Sequence, residues 1–442
     1  MYLSAFELYR IGPGPSSSYT TGPHRAALRF VHELAADGVL PRVVRIEAEL
    51  YGGLAFHGAD RGTHRALVAG FCGHLPERCD AETLELCFAR TRTDRSLALG
   101  GRHPVRFDPE RDLRTVVDRS LADDGNAMRF SAHDLRGELV ATRVYFSTGG
   151  GAIAAEGEGH AGWSPRVPYA FASGAQLLEL GRSHGKRICD LARANECALF
   201  SPGEVRAGLL LVAQTMRVAI ERGMTSEGRL PSGASRTASA WADAQRAAGA
   251  PPRDMCAVYA TAMGEESACG GRVVAAPTAA TAGPVAALLQ VWRDSAPLHQ
   301  ETGTTDFLLT AAAIGGLLRG AGLRQVGCQG EIGVAAAMAA SGLACVLGGS
   351  NAQVLHAAER ALEPHLRLAC DPAHGRIEAP CIERGAQGAT RAYDAATAAI
   401  RLPAPRNGLD GLARTVITAG RAMAARPKSG AIGGLAVDIA EC

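Results

Sequence analysis

Lysine is nearly missing from this chain. Among 442 residues only Lys186 and Lys428 occur, and the other basic residues are arginines scattered along the sequence. Neither lysine makes a persuasive Schiff-base nucleophile, which argues against a pyridoxal-phosphate enzyme. The net charge is +2 and no basic stripe stands out, so neither nucleic acid nor membrane is an expected partner. No C-x-x-C pair occurs, which removes zinc ribbons and thioredoxin-type redox motifs. The N-terminus has no apolar core segment and carries Glu7 and Arg10 early, unlike a signal peptide. Twelve cysteines without such a signal point to a reducing compartment and free thiols, hence a cytoplasmic location. No repeat of solenoid length is present. The longest uncharged apolar stretch, IGVAAAMAASGLACVLGGS at 332–350, is mostly alanine and glycine and reads as a buried core helix instead of a membrane span.

What is present reads as a globular chain, 47% apolar and 20% charged, long enough for two domains. HRAALRFVHELAADG suggests an amphipathic helix closed by Gly38, and RVVRIEAELYGGLAF (42–56) a strand. RHPVRFDPERDL reads as an edge strand broken by prolines, and ELVATRVYFSTGGG (138–151) as a strong strand ending in three glycines. A polar, glycine-rich stretch follows at 156–171. Beyond it, helical patterns recur at 174–199, 203–223, 236–249, 306–322, 332–347, 350–362 and 408–425. The expectation is an α+β N-terminal domain over 1–155 and an all-helical C-terminal domain over 172–442.

Two features carry chemistry. GPGPSSSYTTGPHRAA (12–27) places the hydroxyls of Ser16, Ser17, Ser18 and Thr20 just before a helix, where free N–H groups can cradle a carboxylate. The bland alternative is an N-capping turn. Cys328, Cys370 and Cys381 sit beside Gly, Pro or charged residues at apparent turns, a setting that lowers a thiol pKa and suits metal ligation. The alternative is three loop-end thiols with no common partner. Cys72, Cys79, Cys87, Cys189, Cys197, Cys256 and Cys345 lie in ordinary apolar or helical contexts and are expected to be buried.

IGPGPSSSYTTGP, YFSTGGG, ERGM, GGRVVAAPT, GCQGEIGVAAAMAASGLACVLGGS, LRLACDPAHGRIEAPCIERGAQGA and the C-terminal GGLAV occur in one order along the whole chain. This set resembles the bacterial iron–sulfur L-serine ammonia-lyase (L-serine dehydratase) family. The resemblance implies a 4Fe–4S cluster on Cys328, Cys370 and Cys381, with one iron left open for substrate. It implies elimination of water from L-serine to give pyruvate and ammonia, and a cytoplasmic homodimer in amino-acid metabolism and gluconeogenesis. It also implies that the C-terminal Cys442 can enter the site and occupy the open iron.

The resemblance breaks near the substrate. Tyr19 stands where the family has His, Arg61 and His64 replace the His and Asp of G-H-G-T-D, and AAPTAA (275–280) replaces T-A-P-T-N-G while keeping Thr278. Ser235 and Ala238 stand where the family carries Lys and Arg; His103 is kept. Tyr19, His64 and His103 are the candidates for the α-proton base. Arg61 and Arg236 are candidates to replace the lost charge beside the substrate. Ala275, Ala279 and Ala280 would enlarge the pocket, which opens two alternatives. One is a larger β-hydroxy amino acid or L-cysteine as the better substrate; the other is a catalytically silent iron–sulfur subunit.

Overall fold

The computed structural model describes residues 2–117, 126–158, 165–296, 300–320, 327–365, 379–402 and 408–424, apart from the side chains at 327–329, 379–381 and 419–424. Its strands are β1 (Ile11–Pro13), β2 (Arg45–Tyr51), β3 (Ser96–Leu99), β4 (His103–Arg106), β5 (Leu113–Val116), β6 (Ala127–His133), β7 (Leu139–Gly149), β8 (Ala152–Ala155) and β9 (Arg272–Val274).

Seven strands form one sheet in the order β3-β4-β2-β6-β7-β8, with β5 also paired to β2. Alternation along β2 turns Ile46, Ala48 and Leu50 fully inward, as a sheet with one covered face requires. The cover is the Thr21–Ala36 helix with Thr63–Phe71 beside it, and Phe30, Phe71, Phe107, Phe130 and Tyr145 fill the space between. The rings of Phe71 and Phe130 meet edge to face, with centroids 5.1 Å apart. The strand expected over 42–56 stops at Tyr51, because Gly52 (φ +56°) turns the chain into a short helix, Gly53–His57.

The second part is helical. Its centre is the Gly327–Val346 helix, where Ala336, Ala337, Ala339, Ala340 and Ala344 are fully buried. Alanines let neighbours approach from all sides, so this helix is apolar all round because it is a core element. No helix among the described residues is long and apolar enough to cross a membrane. The pattern read as one helix over 174–199 is two, Gly174–His184 and Ile188–Cys197, separated by Gly185 at φ +60°. Three further helices, Pro252–Ala268, Gly283–Ser295 and Ala379–Ala399, start at Pro- or Gly-containing stretches that look like loops in sequence. Proline in a first helical turn costs no hydrogen bond, so these prolines open helices instead of breaking them. Of the cysteines expected to be buried, Cys72, Cys87 and Cys197 are only partly so.

The first residues belong to the helical part. Tyr2, Ala5, Leu8, Tyr9 and Ile11 join its core. The buried carboxylate of Glu196 accepts from Tyr2 Oη at 2.6 Å, Ser4 Oγ at 2.8 Å and the Ala5 N–H at 2.9 Å. β1 then pairs antiparallel with β9, Ile11 opposite Val274. The chain therefore starts in the helical part, crosses through the serine-rich loop into the α/β part, and returns. The loop sits at the crossing.

Candidate active site

Ser16, Ser17, Ser18 and Thr20 are all essentially buried. Their carbonyls are engaged: Ser16 O accepts from the Tyr19 and Thr20 N–H groups, Ser17 O from Gly22 N–H, and Ser18 O from Ser147 Oγ at 2.8 Å. Thr20 Oγ1 lies 2.6 Å from the Pro13 carbonyl and 2.7 Å from that of Ser16, so its single proton is used inside the loop. Thr20 locks the turn and is no donor to a ligand. Its side chain does not cap the helix either. By contrast, Ser16 Oγ is buried with no partner among the described residues. The N–H groups of Ser16 and Ser17 likewise donate to nothing described. Buried donors without acceptors are costly, and an anion would satisfy them.

The helical part closes over this loop. Ala279 N–H reaches Ser17 Oγ at 3.4 Å, and Ser267 Oγ reaches the carbonyls of Ala279 at 3.2 Å and Pro15 at 3.4 Å. Next to Ala279, Thr278 Oγ1 is 2.9 Å from Thr281 Oγ1 and donates to Glu331 Oε2 at 3.1 Å. Thr278, Thr281 and Glu331 are all buried. Glu331 lies three residues after Cys328 in the opening turns of the Gly327–Val346 helix, the same helical face by spacing.

On the α/β side, Thr63 Oγ1 donates to the Tyr19 carbonyl at 2.6 Å. The buried Arg61 guanidinium lies over the Tyr19 ring, 4.4 Å from its centroid. A Cβ on Gly53 would meet Tyr19 Oη at 2.5 Å and Asn126 Oδ1 at 2.6 Å, so both polar atoms converge on that glycine. His64 is half-buried, its Nε2 has no partner among the described residues, and burial followed by Arg65 lowers its pKa. It is therefore a neutral imidazole near pH 7.

Two candidates stand apart. His103 Nε2 is bonded to the Val43 carbonyl at 2.6 Å within the sheet, a structural contact. Arg236 is held between Glu265 (3.5 Å) and Glu266 (3.6 Å), so its charge is balanced there.

Cys328 and Cys381 each fall in the first turn of a helix. These two helices run in the same direction. A Cβ on Gly388 would lie 3.2 Å from Ile332 Cγ2, and one on Gly349 would lie 3.2 Å from Ile400 Cγ2. Both cysteine-bearing N-termini are thus at one end. His365, the last described residue before 366–378, packs there too, its Cβ 3.0 Å from a Cβ on Gly333. Cys370 and Cys442 lie outside the described residues, as do the side chains of Cys328 and Cys381. Among the described residues no three His, Cys, Asp or Glu side chains group as a metal site. Two thiol positions at adjacent helix N-termini, with a third in the connection between them, suit a thiolate-ligated iron–sulfur cluster.

Along the Ala379–Ala399 helix, from Ile382 to Asp394, is a cavity of about 560 Å³, lined also by Ser235, Thr237, Trp241 and Glu265. Ser235, where the resemblance leads one to expect lysine, faces this space.

The model for the serine dehydratase beta chain matches residues 4–158, and that for the serine dehydratase alpha chain matches 183–436. The chain belongs to the serine dehydratase family. It is 39% identical to an L-serine dehydratase of Streptomyces coelicolor, over all of both chains. It is 37% identical to L-serine dehydratase 2 of Escherichia coli, again over all of both, and 39% identical to the L-serine dehydratase of Mycobacterium tuberculosis over 100% of this chain and 99% of that one. Within this family framework, Glu331, Thr281 and Asn126 are the site neighbours that motif reading did not single out. Only the spacing of Glu331 from Cys328 offered a signal.

Proposed function

We propose that this chain removes water from L-serine to yield pyruvate and ammonia, with a 4Fe–4S cluster on Cys328, Cys370 and Cys381. The observation that carries the reading is the meeting of three parts at one place. These are the buried serine loop, the Thr278–Thr281–Glu331 network, and the helix start that bears Cys328. The three relatives described above are each named an L-serine dehydratase and match this chain over its full length.

The substrate carboxylate is held by Ser16 Oγ, Ser17 Oγ and the N–H groups of that loop. Thr278 and Glu331 then bound the substrate on the helical side. His64, neutral with Nε2 open, is the base that takes the α-proton; Tyr19, under Arg61, shapes the same wall. When bound, a cluster with an open iron supplies a Lewis acid for the departing hydroxyl, which is otherwise a poor leaving group. The α-C–H electrons form the new double bond as the C–O bond breaks. The aminoacrylate tautomerises to an imine, and water converts this to pyruvate and ammonia. Cys442 as an inhibitory tail ligand, the homodimer, the cytoplasmic location and the role in amino-acid metabolism and gluconeogenesis belong to the same reading.

A pocket retuned to a bulkier amino acid or L-cysteine is not favoured, nor is a silent subunit, given full-length relatives of one named activity. The alanines do not speak for extra room either. Ala275 is buried and donates its N–H to the Arg10 carbonyl, and the Ala279 N–H is directed to Ser17.

Anaerobic reconstitution tests the proposal. The protein should turn brown with about four irons per chain, release pyruvate from L-serine faster than 2-oxo acid from L-threonine or L-cysteine, and speed up when Cys442 is removed. Cys328→Ala and Cys381→Ala should lose the iron. A colourless, iron-free protein after careful reconstitution refutes it.

A further inference from the structure

Arg10 and Arg319 meet the glycine turn between β7 and β8, and Arg25 stands one helical turn after Thr21, whose Cγ2 would lie 2.9 Å from a Cβ on Gly151. Arg10 leads into β1, Arg25 stands in the Thr21–Ala36 helix, and Arg319 closes the Gln300–Gly320 helix. Arg10 donates through Nη1 to the Gly150 carbonyl at 3.2 Å. Arg319 Nη1 is 3.4 Å from the Pro277 carbonyl and would lie 2.7 Å from a Cβ on Gly150. Gly149, Gly150 and Gly151 have φ of +97°, +60° and +75°, so the turn disfavours side chains and leaves the guanidinium groups of Arg10 and Arg319 against bare backbone.

The charge at this junction is unbalanced. Among the described residues none of the three arginines forms an ion pair, whereas Arg45, Arg193 and Arg253 each have a carboxylate partner. Burial, then the charges of Arg25 and Arg319, push the Arg10 pKa down to about 9, so it remains a cation at neutral pH. Among the described residues Glu7 is the carboxylate that acts on Arg10 electrostatically, and it accepts the Ser4 N–H in a capping box. Arginines whose charges act on one another repel unless an anion joins them. Guanidinium forks are shaped for the oxygens of phosphate or carboxylate.

We propose that Arg10, Arg25 and Arg319 form a binding site for a small oxyanion, a phosphate or a carboxylate, at the junction of the α/β and helical parts. Arg319 also holds Pro277, the neighbour of Thr278, so a bound anion that draws on Arg319 acts on the loop that carries Thr278. The site does not depend on the proposed reaction, because its test reads binding and not turnover.

The experiment is calorimetric titration of the full-length protein with inorganic phosphate and, separately, with pyruvate, at ionic strength held constant with chloride. Saturable binding of at least one is expected, weakened tenfold or more in both Arg319→Gln and Arg25→Gln and unaltered in Arg293→Gln. Circular dichroism checks that each variant is folded, and Arg25, on a half-exposed helix position, is the safer of the two. Binding of phosphate alone assigns a phosphate ligand; binding of pyruvate alone assigns a carboxylate. Absence of saturable binding by either, or equal binding by wild type and both arginine variants, overturns the proposal.

Discussion

His24 should make this protein acid-sensitive by a calculable amount. It lies in the first turn of the Thr21–Ala36 helix, fully buried, with Nε2 at 2.8 Å from the His74 carbonyl and Nδ1 without a partner among the described residues. Nε2 is therefore the protonated nitrogen, and a second proton on Nδ1 would be a buried charge facing no acceptor. Burial lowers the pKa from 6.5 to about 4. The folded chain then binds fewer protons than the unfolded chain between those values, so stability is full above pH 6.5 and falls as pH drops toward 4. At pH 5 the loss is about 2 kcal/mol, taking about 1.4 kcal/mol per pKa unit. Urea midpoints of wild type and His24→Gln, followed by circular dichroism from pH 8 to pH 5, isolate the effect. His57, His64, His356 and His365 are lowered as well, but they contribute equally to both proteins. Wild type should lose about 2 kcal/mol more than the variant over this range. Parallel pH dependences, or a His24 protonation midpoint above pH 6 by NMR, would refute the reasoning.

Glu196→Ala strips three donors of their acceptor. At ~1–3 kcal/mol per orphaned buried donor, with water rescuing part, about 3 kcal/mol should be lost in urea denaturation, and kcat/KM should drop because β1 leads into the serine loop. An unchanged midpoint would mean that the N-terminal segment is held by apolar packing alone. Gly223→Ala would set a Cβ 2.6 Å from the Ala262 carbonyl carbon and 2.8 Å from its Cα. Backbone cannot step aside as a flexible side chain can, so about 2 kcal/mol of destabilisation is expected despite the better helix propensity; a stabilised variant would contradict the packing. Ser17→Ala should raise KM for L-serine several-fold with iron content intact, and identical kinetics would reduce the loop to a structural turn.

Much of the architecture was legible locally. The apolar period of residues 24–38 matches the Thr21–Ala36 helix, and 138–151 matches β7, because each buries one face against the sheet and the burial is written in the residue spacing. The helices opening at Pro252, Gly283 and Ala379 were not legible, because a Pro or Gly that starts a helix has the same composition as one that ends it. The serine loop was legible as a run of hydroxyls just before a helix. Its burial was not, since a run of serines between glycines and prolines looks like solvent-exposed chain until the helical part covers it.

Sequence alone determined the composition of the candidate site: hydroxyls before a helix, three cysteines next to Gly, Pro or charged residues, and collinear motifs that led to the family. Those are properties of residue type and order, which folding does not alter. Tertiary structure decided which of these groups act together. The crossing of the chain from β1 into the α/β part and back to β9 brings Ser17 beside Ala279, residues 262 positions apart. Arg236 and His103 could not be assigned from their motifs because a charge or an imidazole is defined by what balances it. For Arg236 that is Glu265 and Glu266, and for His103 it is the Val43 carbonyl. The arginines at 10, 25 and 319 carry no motif at all. Only the fold brings Arg10 and Arg319 to one glycine turn with Arg25 acting on Arg10, and among the described residues none of the three has an ion-pair partner.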